Sequence, residues 1–221
     1  MNFLSHYYID STDNEYFNCG LALPDLVSVV DRKLKKIDVF NPDIISHFHI
    51  NQGWNRHLLT DKVFHNSDIF TQQNKNIKLL WLELGLPTSD VKLFFIAHIL
   101  FELLLDRWIL NHDKSWADKF YKDLSDCDIQ QVSAFCFSSK PEYSFKFSQL
   151  LDRFLLHQWV YQYQSEVGLL TAINKISERM NLPGIDIIHL PAFIGLVNAM
   201  DNIINAKICE WWATWKKLQT I

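Results

Sequence analysis

The segment from Leu93 to Asp106 does most to decide what this chain can fold into. It reads LFFIAHILFELLLD, an almost wholly apolar stretch that nevertheless contains His98 and Glu102. Its apolar residues recur at helical spacing and it is too short to span a bilayer, so we predict a buried core helix that ends near Asn111. A carboxylate buried among apolar side chains needs a partner charge or a metal ion. The segment therefore predicts a helical core with a polar site inside it.

Two ladders of histidine and carboxylate follow the helical repeat. A spacing of four residues is about one helical turn, so the members of each ladder lie along one face of a helix. Imidazole and carboxylate together suit a divalent metal ion, and two helices that aim such faces inward can build one site. The alternative is a solvated helix face with a weak charge interaction. The ladders are His57, Asp61 and His65, and then His98, Glu102 and Asp106.

The composition indicates the fold class. Glycine and proline number only six each in 221 residues, which disfavours β architectures rich in turns. Helical patterns recur through most of the chain, and no internal repeat, low-complexity segment or long linker separates domains. We predict an all-α fold in which residues 1–221 form one helical domain of roughly eight to ten helices.

Turn and cap residues predict where helices begin and end. An early helix is expected to begin after Pro24, because proline is tolerated in a first turn. Breaks are expected at residues 66–67, at the polar run 72–76 and at Gly168. Thr88 or Ser89 is expected to cap the core helix.

Charge and cysteine usage exclude several classes of protein. The net charge of −4 does not indicate binding to nucleic acid or to an anionic membrane. The four cysteines form no C-x-x-C pair and indicate free thiols in a reducing cytoplasm. The N-terminus has neither the basic region nor the apolar run of a signal peptide. No P-loop, G-x-S-x-G or H-E-x-x-H motif is present. We therefore predict a cytoplasmic protein without a membrane segment.

Three islands of sequence resemble the acyl carrier protein phosphodiesterases, bacterial metal-dependent hydrolases that remove the phosphopantetheine arm from holo acyl carrier protein. The islands are MNFLSH at residues 1–6, GLALPD at 20–25 and GWNRHLLTD at 53–61. Residues 157–180 are similar to the family's late helices, with Arg179 where the family has an arginine. The family is regarded as a divergent branch of the HD-type phosphohydrolases, so the resemblance implies an HD-phosphohydrolase-like fold.

The resemblance also implies a set of site residues. The family's metal or catalytic positions fall on His6, Asp25, His57 and Asp61. The family has an adjacent Asp-His pair on its core helix, for which His98 and Glu102 are the proposed replacements here. It often has asparagine directly after the glycine of the second island, where this chain has Leu21.

These observations combine into one site hypothesis. The expected chemistry is metal-assisted hydrolysis, in which a divalent ion activates a water and a carboxylate or imidazole takes the proton. Mn²⁺ or Mg²⁺ is expected ahead of Fe²⁺ or Zn²⁺. The expected catalytic residues are Asp25, Asp61 and Glu102, with His65 and Asp106 as further candidates. The expected ligands are His6, Asp25, His57, Asp61, His98 and Glu102, with His57 and Asp61 converging on one or both of His98 and Glu102.

A basic run is the expected docking surface for acyl carrier protein, because carrier proteins of this type are acidic. It consists of Arg32, Lys33, Lys35 and Lys36, and the alternative is a solvated helix end or loop. The expected function is a phosphodiesterase acting on holo acyl carrier protein, within fatty acid biosynthesis. Two alternatives stay open: an HD-like phosphohydrolase acting on a small phosphorylated metabolite or nucleotide, and a helical binding protein without catalysis. Leu21 and the missing Asp-His pair favour these alternatives, and the oligomeric state is left open.

Overall fold

The computed structural model describes residues 1–30, 41–88, 92–138 and 140–218, and within these ranges it contains helices and no strands. The predicted all-α class is confirmed, whereas the HD-phosphohydrolase-like arrangement stays a prediction. Two short 3₁₀ segments, Trp159–Gln164 and Ile187–His189, accompany the α-helices. The α-helices of the described ranges are α1 Phe3–Asp10, α2 Glu15–Val30, α3 Ile45–His65, α4 Asp68–Glu83, α5 Leu93–His112, α6 Ser115–Asp126, α7 Ile129–Phe137, α8 Pro141–His157, α9 Glu166–Arg179 and α10 Leu190–Leu218.

The chain divides into two compact helical units. The N-terminal unit comprises residues 2–61 and 114–160, and the C-terminal unit comprises Met1 with residues 62–113 and 161–221. The boundary at Asp61 and Lys62 falls inside α3. The single domain spanning residues 1–221 stays a prediction.

In the N-terminal unit, α1 packs on α2 and α6, while α8 packs on α2, α6 and α7. Aromatic residues fill the space between these helices. Phe120 and Phe154 are almost wholly buried, and their rings meet edge to face at 6.1 Å.

In the C-terminal unit, α5 is the central helix and packs on α4, α9 and α10. This confirms the buried core helix predicted from its apolar sequence. Leu100, Phe101 and Leu104 have no exposed surface. The charged residue Arg107 is also buried, with Nε donating to Asp201 at 3.1 Å and Nη2 donating to Glu166 at 2.5 Å. These bonds satisfy a guanidinium that would otherwise be costly to bury.

The segment Ile187–Lys217, most of which is α10, is long and apolar enough to cross a membrane by length and composition. The apolar stretch judged too short to span a bilayer was Leu93–Asp106, so this longer segment was not predicted. Within the C-terminal unit the apolar residues of α10 recur every three or four positions on a buried face, among them Phe193, Val197 and Met200. The core helix of a soluble protein meets the same criterion.

Two predicted helix boundaries, one in each unit, were wrong. Helix α2 begins at Glu15, where the Asn14 side chain accepts from the amide of Phe17 at 2.9 Å, and Pro24 lies inside it. Helix α4 continues through the polar run 72–76, because polar side chains there bond within the helix. Asn74, for example, donates to the Phe70 carbonyl at 2.9 Å.

Two further boundaries also differ. The break expected at Gly168 lies earlier, where Gln158 adopts a left-handed φ of 45° and Ser165 caps α9 by accepting from the amide of Gly168. The core helix α5 begins at Leu93 after Lys92, with no side-chain cap, so Thr88 is not its cap. Ser89 lies outside the described residues.

Candidate metal centres

Helices α2 and α3 approach each other at two glycines of the N-terminal unit. A Cβ atom on Gly20 would lie 2.4 Å from the Ile50 carbonyl oxygen, and one on Gly53 would lie 2.0 Å from the Phe17 carbonyl oxygen. The two backbones are therefore in contact, and a side chain at either position would push them apart. These glycines open the second and third sequence islands, so the contact brings the carboxylate end of one island to the histidine of the other.

His57 lies at this contact with a defined ring orientation. Its Nδ1 lies 2.7 Å from the Leu21 carbonyl oxygen, which can only accept, so Nδ1 carries the proton. The Nε2 atom of the neutral ring then offers a lone pair. Burial and the neighbouring His6 imidazole hold the pKa of His57 well below its usual value, so the ring stays neutral. The bond uses the backbone of Leu21, so the absence of asparagine at this position does not affect it.

His6 stacks on His57, with ring centroids 3.8 Å apart and planes inclined by 23°. It is fully buried, and burial lowers its pKa. Its Nε2 lies 3.2 Å from Oδ1 of Asp61, but out of line for a hydrogen bond, and among the described residues neither ring nitrogen has a hydrogen-bond partner. A close but misaligned nitrogen and oxygen are what two ligands of one cation present.

Two carboxylates complete this group. Oδ2 of Asp61 and Oδ1 of Asp25 each lie 3.9 Å from Nε2 of His57. Their side chains are 29% and 33% exposed, whereas that of His57 is 2% exposed, and one Asp25 oxygen, Oδ2, is buried. Burial would raise the pKa of Asp61, but neighbouring positive charge outweighs it and holds that pKa far below its usual range. We call His6, Asp25, His57 and Asp61 the first centre.

A second group lies in the C-terminal unit. His65 is the last residue of α3, while His98 and Glu102 are one turn apart on α5. The Nε2 atoms of His65 and His98 lie 3.1 Å apart, and they lie 3.0 Å and 2.9 Å from the same Oε1 of Glu102. We call these three residues the second centre.

The carboxylate of the second centre is held ionised. Burial would raise the pKa of Glu102, but the Met1 ammonium and the adjacent His65 and His98 imidazoles outweigh it and keep the pKa below its usual range. The ammonium donates to Oε1 of Glu102 at 3.3 Å. The Glu102 carboxylate is therefore ionised near pH 7, and its oxygens can bind a cation.

The structure groups the predicted ligands differently from the single shared site that the ladders predicted. His57 and Asp61 group with His6 in the N-terminal unit, and Asp25 lies 3.9 Å from His57, whereas His65, His98 and Glu102 form their own group in the C-terminal unit. The division of the first ladder between the two units was not visible in its regular spacing. His65, only a further candidate in the sequence, is a full member of the second centre.

The remaining predicted residues fall outside both centres. Asp106 is wholly buried on α5, and its neighbour Arg107 pairs with Asp201 and Glu166. His112 is the last residue of α5 and stacks on Trp108. Arg32, Lys33, Lys35 and Lys36 lie outside the described residues, so their role in docking stays a prediction.

An open groove of about 630 Å³ lies in the N-terminal unit and is lined by residues that include Thr12, His49, Gln52 and Arg56. None of its lining residues belongs to the first centre. Arg56 is already engaged, because its Nε donates to Asp10 at 2.7 Å. The groove therefore gives no support to a catalytic site of its own.

No family model, no curated protein and no solved structure matches this chain. The resemblance to the acyl carrier protein phosphodiesterases therefore depends on the three islands and the late helices alone.

Proposed function

We propose that this chain is a cytoplasmic, divalent-metal-dependent phosphoric diester hydrolase that works at the first centre. The observation that carries the proposal is the bond from His57 Nδ1 to the Leu21 carbonyl oxygen, at 2.7 Å. Metal-binding histidines almost always donate their second ring N–H to such an acceptor, which fixes the tautomer and the ring orientation. Here that bond directs a neutral Nε2 toward two carboxylates.

The donor set of the first centre fits a transition-metal ion. It offers two buried imidazoles and two carboxylates. Nitrogen donors weigh against Mg²⁺, which prefers oxygen ligands and keeps several waters. Of the two ions expected from the sequence, Mn²⁺ is therefore the one we propose, with Fe²⁺ and Zn²⁺ as competitors.

Each residue of the first centre has a distinct role in this proposal. A bound divalent ion lowers the pKa of a coordinated water and polarises a phosphoryl oxygen. His6 and His57 hold the ion as neutral donors. Asp61, whose pKa is held far below its usual range, would be a ligand of the ion. Asp25, whose side chain is one third exposed, would accept the proton of the reacting water.

The proposed substrate is holo acyl carrier protein, whose phosphopantetheine arm is attached through a phosphodiester. This part of the proposal is supported by the resemblance. The partly exposed carboxylates agree with it, because a macromolecular substrate must reach the ion from the surface. The catalytic role expected for Glu102 is not part of the proposal, since Glu102 belongs to the second centre.

The experiment is release of phosphopantetheine from holo acyl carrier protein in Mn²⁺, measured on protein purified without chelator. The decisive variant is His57→Asn, whose amide can still donate to the Leu21 carbonyl oxygen but lacks the Nε2 ligand. We expect it to fold and to lose activity, whereas the exposed control His157→Asn keeps activity.

Two results would change the proposal. Activity on small phosphodiesters or nucleotides, with none on holo acyl carrier protein, would keep the chemistry and replace the substrate. Full activity of His57→Asn, or no hydrolysis of any phosphoester by metal-loaded wild type, would contradict a catalytic first centre and favour a binding protein.

A further inference from the structure

We propose that the second centre is a cation site in its own right, in which His65, His98 and Glu102 bind one face of a six-coordinate divalent ion such as Mn²⁺, Fe²⁺ or Co²⁺. This inference does not rest on the proposed function, since its residues lie in the C-terminal unit and none belongs to the first centre.

The distances between the three donor atoms carry the inference. They form a nearly equilateral triangle with edges of 2.9, 3.0 and 3.1 Å. Ligands at right angles around an octahedral ion, with bonds of about 2.1 Å, lie about 3.0 Å apart. Tetrahedral ligands with the same bonds would lie about 3.4 Å apart. The triangle therefore has the size of an octahedral face, the arrangement of a two-histidine, one-carboxylate triad.

Hydrogen bonding alone does not satisfy this triangle. An ionised carboxylate only accepts, and a ring nitrogen either donates its proton or offers a lone pair. If both Nε2 atoms carry protons, two donors face each other at 3.1 Å. If one of them does not, its lone pair faces the Glu102 oxygen at 3.0 Å or less. A cation removes the conflict, because all three atoms then direct lone pairs at it.

Packing fixes the triangle before an ion binds. The Phe70 ring meets both imidazoles edge to face, each at 4.9 Å and 84°. His98 and Glu102 are held one turn apart on the buried helix α5. A site whose ligands are already in place loses little conformational entropy on binding.

The centre also has room for further ligands. The side chains of His65 and His98 are 30% and 28% exposed, so the ion's remaining positions face solvent and can take water or an anionic ligand. The Met1 ammonium balances Glu102 in the ion-free protein and competes with the cation.

The test is Co²⁺ binding to chelator-treated full-length protein, by calorimetry and visible absorption. The first variant is Glu102→Gln, which keeps the side-chain shape and removes the charge, and its matched control is Glu83→Gln, an exposed position in the same unit. We expect Glu102→Gln to bind one Co²⁺ fewer than wild type and to lose the weak visible band of a six-coordinate ion. A second variant, His98→Gln, is expected to show the same loss, and circular dichroism checks that each variant is folded.

The outcomes separate the two centres. The second centre would be supported if Glu102→Gln loses one Co²⁺ and His57→Asn still binds that same ion. This result would hold whether or not the first centre binds an ion of its own. Equal Co²⁺ binding by folded Glu102→Gln, folded His98→Gln and wild type would overturn the inference and leave the proposed function standing. An intense four-coordinate Co²⁺ spectrum that Glu102→Gln abolishes would overturn the octahedral face.

Discussion

The buried pair His6 and His57 predicts how the stability of the metal-free protein depends on pH. Burial lowers the pKa of both imidazoles below the 6.5 of an unfolded histidine, and that of His57 well below it. Below pH 6.5 the unfolded chain therefore binds protons that the folded chain does not. The free energy of unfolding is then at its maximum above pH 6.5 and falls as the pH falls.

The magnitude follows from the number of protons. Each histidine that stays neutral in the folded protein lowers the free energy of unfolding by about 1.4 kcal/mol when the pH falls from 7.5 to 5.5. If both members of the stacked pair stay neutral, the loss is about 2.7 kcal/mol. Such a loss is a large fraction of the stability of an ordinary domain.

The assay is urea unfolding in EDTA at pH 7.5, 6.5 and 5.5, followed by circular dichroism. The variant His57→Asn removes one of the two imidazoles, so its loss over this range is expected to be about 1.4 kcal/mol smaller than that of wild type. The control His157→Asn is expected to keep the wild-type dependence. If wild type and His57→Asn lose the same unfolding free energy between pH 7.5 and 5.5, His57 is not held neutral. That result would contradict the buried, neutral imidazole described for the first centre.

Three other predictions concern packing, charge and docking. Gly53→Ala is expected to lower the unfolding free energy by about 2 kcal/mol or more, because its Cβ would lie 2.0 Å from a backbone oxygen; an unchanged urea midpoint would contradict the close approach of α2 and α3. Arg107→Met is expected to cost about 3–5 kcal/mol, because it leaves two carboxylates without their guanidinium; thermal unfolding checks this, and a change below 1 kcal/mol would count against the network. Reversal of Lys33 and Lys35 to glutamate is expected to raise KM for holo acyl carrier protein without changing kcat, and added salt is expected to weaken the wild type. An unchanged KM would mean that this run is not the docking surface.

The sequence predicted the fold class and the core helix because both depend on local patterns. The apolar spacing of α5 is sufficient to identify a buried helix, and the scarcity of glycine and proline is typical of helical proteins. Helix boundaries were harder to predict. Asn14 starts α2 ten residues before the expected proline, and burial of Leu21 and Leu26 carries the helix through it.

The ladders identified histidines and carboxylates that lie close together in the structure, but they predicted the wrong grouping. Spacing places side chains on one helix face, but it does not say which unit each turn of that helix joins, so the separation of His65 from His57 was invisible. His6 entered only through the family resemblance, since it has no partner nearby in sequence. The bond from His57 to the Leu21 carbonyl oxygen could not be predicted either. Every residue has a backbone carbonyl, so the sequence does not show which one accepts from a given side chain.

The most direct test of the central claim is the metal content of chelator-free protein, measured by elemental analysis on wild type beside His57→Asn and His157→Asn. The first centre predicts that His57→Asn carries one divalent ion per chain fewer than wild type, while His157→Asn carries the same number. Equal metal content in wild type and folded His57→Asn would contradict a metal ion at the first centre, and with it the proposed hydrolase.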